Sequence, residues 1–143
     1  DLVTGVQTCA LPICALEQAV LNLLSNARDA FGDNAAEGDV LIKTRVVHVP
    51  DNISESQDSA PGDYLRLSII DNGMGISDEV RKHVFEPLFT TKPRGSGTGM
   101  GLSQVYDLVR KSGGFVVLDS EVGAGSQFAL HIPIFRAPRG SRT

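Results

Sequence analysis

The sequence predicts one domain built from both α-helices and β-strands. Residues from Ala15 to Phe31 repeat apolar side chains at three- and four-residue steps, the period of a helix with one buried face. Later stretches of strand length are rich in β-branched residues. A second helical pattern, from Leu102 to Lys111, falls between them. With 143 residues and 41% apolar content, the chain suits one ordinary core. Its formal charge of −4 indicates neither a nucleic-acid nor an anionic-membrane partner. No apolar run approaches the about 20 residues needed to span a bilayer, and Cys9 and Cys14 are too few for a disulfide framework. These features describe a soluble, cytoplasmic-type domain.

Residues 1–13 stand apart. Val3-Thr-Gly-Val-Gln-Thr-Cys-Ala-Leu-Pro-Ile13 resembles the direct translation of a common sequencing-library adapter. A short signal-like segment or a native edge strand is the weaker alternative, because no basic residues precede the apolar ones and Pro12 breaks a helix. Residues 1–13 are therefore expected to be non-native, with the natural upstream sequence missing, and 14–136 to form the domain.

In the first helix, Leu16, Ala19, Val20, Leu23, Leu24, Ala27, Ala30 and Phe31 form the apolar face, and Gly32 ends it. Asn22 and Asn26 are four apart and so share one side beside that face. They are either polar residues on a solvated surface or two stacked amide oxygens able to ligate magnesium. Val40 to Val49 reads as a strand, 50–62 as a polar loop, and Tyr64 to Ile70 as a second strand. Ser77 reads as the N-cap of a short helix that stops before Pro87. Phe115 to Ser120 and Gln127 to Ile132 form a closing hairpin, turned by Gly123-Ala-Gly125. The basic tail, 137–143, is expected to be disordered.

Two glycine clusters carry the functional signal. The second strand delivers Asp71 to its C-terminal end, where Asp71-Asn-Gly-Met-Gly75 follows. Gly73 and Gly75 allow a sharp turn and let a flat ligand approach the backbone; alone, the motif is equally well a tight turn. Downstream, Gly95, Gly97, Gly99 and Gly101 can present successive N–H groups to phosphate oxygens just before a helix N-terminus. A Gly/Ser linker is the alternative there. The same spacing predicts a lid from Phe85 to Met100, with Lys92 placed to meet a γ-phosphate or to be simply solvated.

Four motifs in order resemble a known family. Asn22-Leu-Leu-Ser-Asn-Ala27, Asp71-Asn-Gly-Met-Gly-Ile76, Phe85-Glu-Pro-Leu-Phe-Thr-Thr-Lys92 and Gly97-Thr-Gly-Met-Gly-Leu-Ser103 are similar to the N box, first glycine box, F box and second glycine box of sensor histidine kinases. The wider superfamily includes gyrase, heat-shock chaperone and mismatch-repair ATPases. The F box is most similar to that of nitrogen-sensor and related hybrid kinases. The resemblance covers residues 15 to 135. It implies a two-layer α/β sandwich with a mixed β-sheet, helices on one face, and ATP between the layers under the glycine-rich lid.

The resemblance also implies roles. Asp71 would accept a hydrogen bond from the adenine amino group, with Ser126 beside it sharing a water. Asn26 would ligate Mg2+, with Asn22 near the phosphates as a second candidate. Gly73, Gly75, Ile76, Gly95, Gly97, Thr98, Gly99, Gly101 and Leu102 would line the ATP site. Asn22 and Lys92 would assist transfer of the γ-phosphoryl group. Phe85 and Phe89 would anchor the lid. The implied partners are a dimerisation domain bearing the phosphoacceptor histidine and a response-regulator receiver domain. His48, His83 and His131 all lack the helical His-Glu/Asp context of a phosphoacceptor. Hydrolysing relatives carry a glutamate where this chain has Asn22, which sets a conformational ATPase behind a kinase; a silent pseudokinase remains the third reading.

Overall fold

The computed structural model describes residues 8–9, 13–32, 38–50, 60–86 and 101–135. Along the chain run β1 (Thr8–Cys9), α1 (Ile13–Ala30), β2 (Val40–Val49), β3 (Gly62–Asp71), α2 (Asp78–Arg81), α3 (Gly101–Lys111), β4 (Phe115–Glu121) and β5 (Gly125–Phe135). Both long helices lie where the apolar period put them, α1 starting two residues before Ala15. The hairpin strands extend past their expected ends, because the ladder continues wherever a partner is available. Ser77 caps α2 by accepting a hydrogen bond from the Val80 amide at 3.3 Å. The Phe85 ring that follows stacks on Tyr106 at 4.9 Å and meets Phe128 edge-on at 6.3 Å, so Phe85 anchors its segment to the core. Phe89 lies outside the described residues.

The chain has the expected two-layer α/β arrangement. Its sheet, expected to be mixed, is antiparallel at every pairing among the described residues. The reason is topological. The α3 crossover returns β4 in the direction of β3, and the β4–β5 hairpin then lays β5 between them, so each neighbour runs oppositely. β2 pairs with β3 from Val40↔Asp71 to Val49↔Gly62, and β1 pairs with Ile134 and Phe135 at the end of β5.

Alternation decides which residues enter the core. Leu67 and Ile69 of β3 and Phe128 and Leu130 of β5 face the helices. Against them pack Ala19 and Leu23 of α1 and Val105 and Val109 of α3, each pair one helical turn apart. A leucine as buried as Leu23 stabilises the fold by about 1.5–3 kcal/mol. The opposite sheet face holds an aromatic cluster. The His131 ring stacks on Phe115 at 4.2 Å, and Tyr64 meets Phe115 edge-on at 5.2 Å.

Candidate functional site

The site begins where β3 runs out. Asp71 is the last residue of β3 and lies opposite Val40 on one side and Ser126 on the other. The residue is 5% exposed, and each carboxylate oxygen holds one donor. Oδ2 accepts from the Ser126 hydroxyl and Oδ1 from the Gly73 amide, both at 2.9 Å. A carboxylate has about four acceptor positions, so this arrangement orients the group and leaves capacity for a ligand donor.

The turn after Asp71 is held on several sides. Asn72 pairs with Asp39 through the Asp39 amide to Asn72 Oδ1, 2.8 Å, and the Asn72 amide to the Asp39 carbonyl, 3.4 Å. The Met74 amide donates to the Ala30 carbonyl at the end of α1, and the Met74 carbonyl accepts from the Gly123 amide. The glycines are explained by these neighbours. A Cβ on Gly73 would come within 2.8 Å of the Ala30 carbonyl oxygen and Cβ. One on Gly75, whose φ is +75°, would come within 2.1 Å of the Glu121 carbonyl oxygen. On the Cβ side of each glycine, protein fills the room that the missing side chain leaves.

Helix α1 supplies the opposite wall. Asn22, Asn26 and Ala30 follow at four-residue steps, so they form one row about 12 Å long. At the far end, Asn22 Nδ2 donates to the Gly101 carbonyl at 3.4 Å, while Asn22 Oδ1 accepts from Gln18 at 3.0 Å. At the near end, Ala30 touches Gly73. Asn26 sits half-buried between them, and among the described residues no side-chain hydrogen bond engages it. Gly101 opens α3, and Leu102 and Ile76 both pack against the core. The structure thus joins Asp71 with Ser126 and Gly73, and Asn22 with Gly101, along one helix face. Lys92, Gly95, Gly97, Thr98 and Gly99 lie outside the described residues.

The family profile described as histidine kinase-, DNA gyrase B-, and HSP90-like ATPase matches residues 14–136. The chain belongs to this family. It is 41% identical over 118 residues to the sensor kinase CckA of Brucella abortus (strain 2308), covering 82% of the chain and 12% of CckA. It is 35% identical over 119 residues to the sensor histidine kinase ZraS of Escherichia coli (strain K12), covering 83% of the chain and 22% of ZraS. Among solved structures, a nucleotide-free form of the catalytic domain of histidine kinase ThkA superposes with a TM-score of 0.64 at 27% identity, covering 86% of the chain and 68% of that domain. Full-length ShkA in complex with AMPPNP shares the fold, with a TM-score of 0.65 at 24% identity, covering 97% of the chain and 26% of ShkA. The chain therefore spans a small fraction of its curated relatives, and it is homologous to the catalytic domains of two-component sensor histidine kinases.

Within this ATPase-like family site, sequence reasoning missed several residues. Ser120 enters on β4, Arg81 from α2 by donating to the Ser120 carbonyl, and Asp39 through its pairing with Asn72. Strand register places Ser120 and Asp39 there. The three histidines lie off this site. His48 pairs with Asp63 at 2.9 Å and His83 with Glu86 at 2.8 Å, both exposed, and His131 is buried in β5.

Proposed function

We propose that residues 14–136 are the ATP-binding catalytic domain of a two-component sensor histidine kinase, passing the γ-phosphoryl group of Mg-ATP to a histidine on a dimerisation domain of the same protein. The observation that carries this reading is the buried Asp71 carboxylate, held on both oxygens at the mouth of the α1–sheet interface. A fixed carboxylate accepts a hydrogen bond from the amino group of adenine, worth about 1.5–3 kcal/mol, and rejects guanine, which has a carbonyl there. Ser126 completes that contact, with Ile76 packed below.

The row from Ala30 to Asn22 is on the scale of an extended nucleotide, running from the base end at Gly73 to the phosphate end at Gly101. The phosphates would meet the first turn of α3, where backbone amides and the helix dipole favour anions. Lys92, Gly95, Gly97, Thr98 and Gly99 are assigned to the same phosphates by resemblance. The amide oxygen of Asn26 suits Mg2+, a hard cation that favours oxygen ligands. Asn22 already bonds Gln18 and Gly101, which fits it better to fixing α3 against α1 than to metal ligation. A bound magnesium ion would neutralise phosphate charge as the phosphoryl group leaves. The domain would work on the cytoplasmic side, and its phosphorylated partner would in turn pass the phosphoryl group to a response-regulator receiver domain.

An amide at Asn22 cannot take a proton from water, and His48, His83 and His131 lie away from the site. Purified chain is therefore expected to bind Mg-ATP in calorimetry, hydrolyse it slowly and acquire no label from γ-phosphate. Adding the matching dimerisation domain should yield an acid-labile, base-stable phosphohistidine on that partner. Steady turnover without the partner near about 1 s⁻¹, the low end of ordinary enzymes, would replace the kinase reading with a conformational ATPase.

A further inference from the structure

Ser120 is the residue whose contacts the kinase reading does not use. Its hydroxyl accepts a hydrogen bond from the Ile76 amide at 2.7 Å and donates one to the Gly125 carbonyl at 3.0 Å. Its own carbonyl accepts from Arg81 Nη2 at 3.1 Å. Register adds a second observation. Ser120 lies directly opposite Ser126, and Ser126 lies directly opposite Asp71. Residues directly opposite share a sheet face, so Ser120, Ser126 and Asp71 form one polar row across three strands. The row continues the face that buries Ile69 and Phe128, at the point where apolar packing ends.

We propose that Ser120 is a positioning residue for nucleotide-base recognition: its hydroxyl clips the Asp71–Ile76 turn to the start of β5 and so fixes Ile76 and Ser126 around the Asp71 carboxylate. The chemistry calls for a hydroxyl. The Ile76 amide is a donor and the Gly125 carbonyl an acceptor, and only a group with both functions on one atom can serve them together. The neighbouring backbone is tight enough to transmit the constraint. A Cβ on Gly75 would overlap the Glu121 carbonyl, and one on Gly125 would come within 2.0 Å of the Asp71 carbonyl oxygen. Loss of the hydroxyl leaves two backbone groups unpartnered and frees the turn from the hairpin.

This inference rests on the adenine-site reading, and its test separates the two. Affinities for ATP and GTP are measured by calorimetry in the whole chain, in Ser120→Ala and in Ser120→Thr, with folding checked by circular dichroism. Ser120→Ala is expected to lose about tenfold in its preference for ATP over GTP, the size of one lost neutral hydrogen bond. Ser120→Thr keeps the hydroxyl and should stay within about threefold of the original chain, a difference under about 1 kcal/mol. A merely structural serine would lower thermal stability without moving the base preference, and that result would overturn the proposal. So would loss of preference in Ser120→Thr equal to that in Ser120→Ala. If Ser120→Ala does not fold, Ser120→Cys replaces it, and its weak thiol must discriminate less than threonine does. An original chain that binds no ATP would overturn the adenine-site reading itself, whereas normal binding with an indifferent Ser120→Ala would overturn the role of Ser120 alone.

Discussion

Asp71 is bonded to Ser126 and Gly73, so the fold itself orients its carboxylate. Asp71→Asn keeps the shape but removes the charge, and presents a donor toward the amino group of adenine. ATP affinity should fall by an order of magnitude or more, about 1.4 kcal/mol for each tenfold step; equal titration curves for the two proteins would remove adenine recognition from this residue. His131 gives a prediction of a different kind. Burial, reinforced by the Arg66 cation nearby, holds its imidazole below the ordinary value of 6.5. The unfolded chain therefore takes up this proton first as the pH falls. The stabilisation is complete above the unfolded value and is lost as the pH drops toward the lowered folded one. Urea unfolding between about pH 7 and pH 5 should show this loss, and His131→Phe, which keeps the ring on Phe115, should flatten it. Asp71 and the Asn22–Asn26 pair were legible in the sequence because they sit in local motifs. Ser120 was not, because its partners are 44 residues upstream at Ile76 and five downstream at Gly125, joined only by register.

At the scale of elements, the helices were the easiest to read. Apolar residues at helical steps marked α1 and α3, and the same residues form the helix side of the core. Leu23→Ala should cost about 2–5 kcal/mol in denaturant unfolding, as large-to-small changes in packed cores do. The glycine turn has a packing reason that the sequence did not show: a Cβ would meet Ala30 at Gly73 and the Glu121 backbone at Gly75. Gly75→Ala combines a left-handed φ with that overlap and should destabilise the fold by more than about 1 kcal/mol, measured in the same way. Strand ends were underestimated because β-ladder pairing depends on partners far along the chain. The adapter origin of residues 1–13, which include β1, is a proposal with a direct test. If residues 1–13 are adapter-derived, deleting them should leave nucleotide affinity unchanged and cost less than about 1 kcal/mol, despite the pairing of Thr8–Cys9 with the end of β5. A larger loss would make them part of the fold.

For the whole molecule, the two-layer plan followed from the family resemblance, while the antiparallel pairing followed from where the last hairpin lies. Among the described residues β5 is the last strand in sequence and an interior one in space, with β3 on one side and β4 on the other. On the ribosome this placement becomes a delay. Asp71 emerges 64 residues before Phe135, a wait of roughly 3–13 s at about 5–20 residues per second. During that time β3 has an empty inner edge, Leu67 and Ile69 lack Phe128 and Leu130, and the carboxylate lacks its serine. A nascent chain stopped before Gly125 thus exposes a sticky strand edge and lacks the Ser126 hydroxyl that holds Asp71. The eleven residues of β5 thus supply both the Phe128 and Leu130 side of the core and the serine beside Asp71.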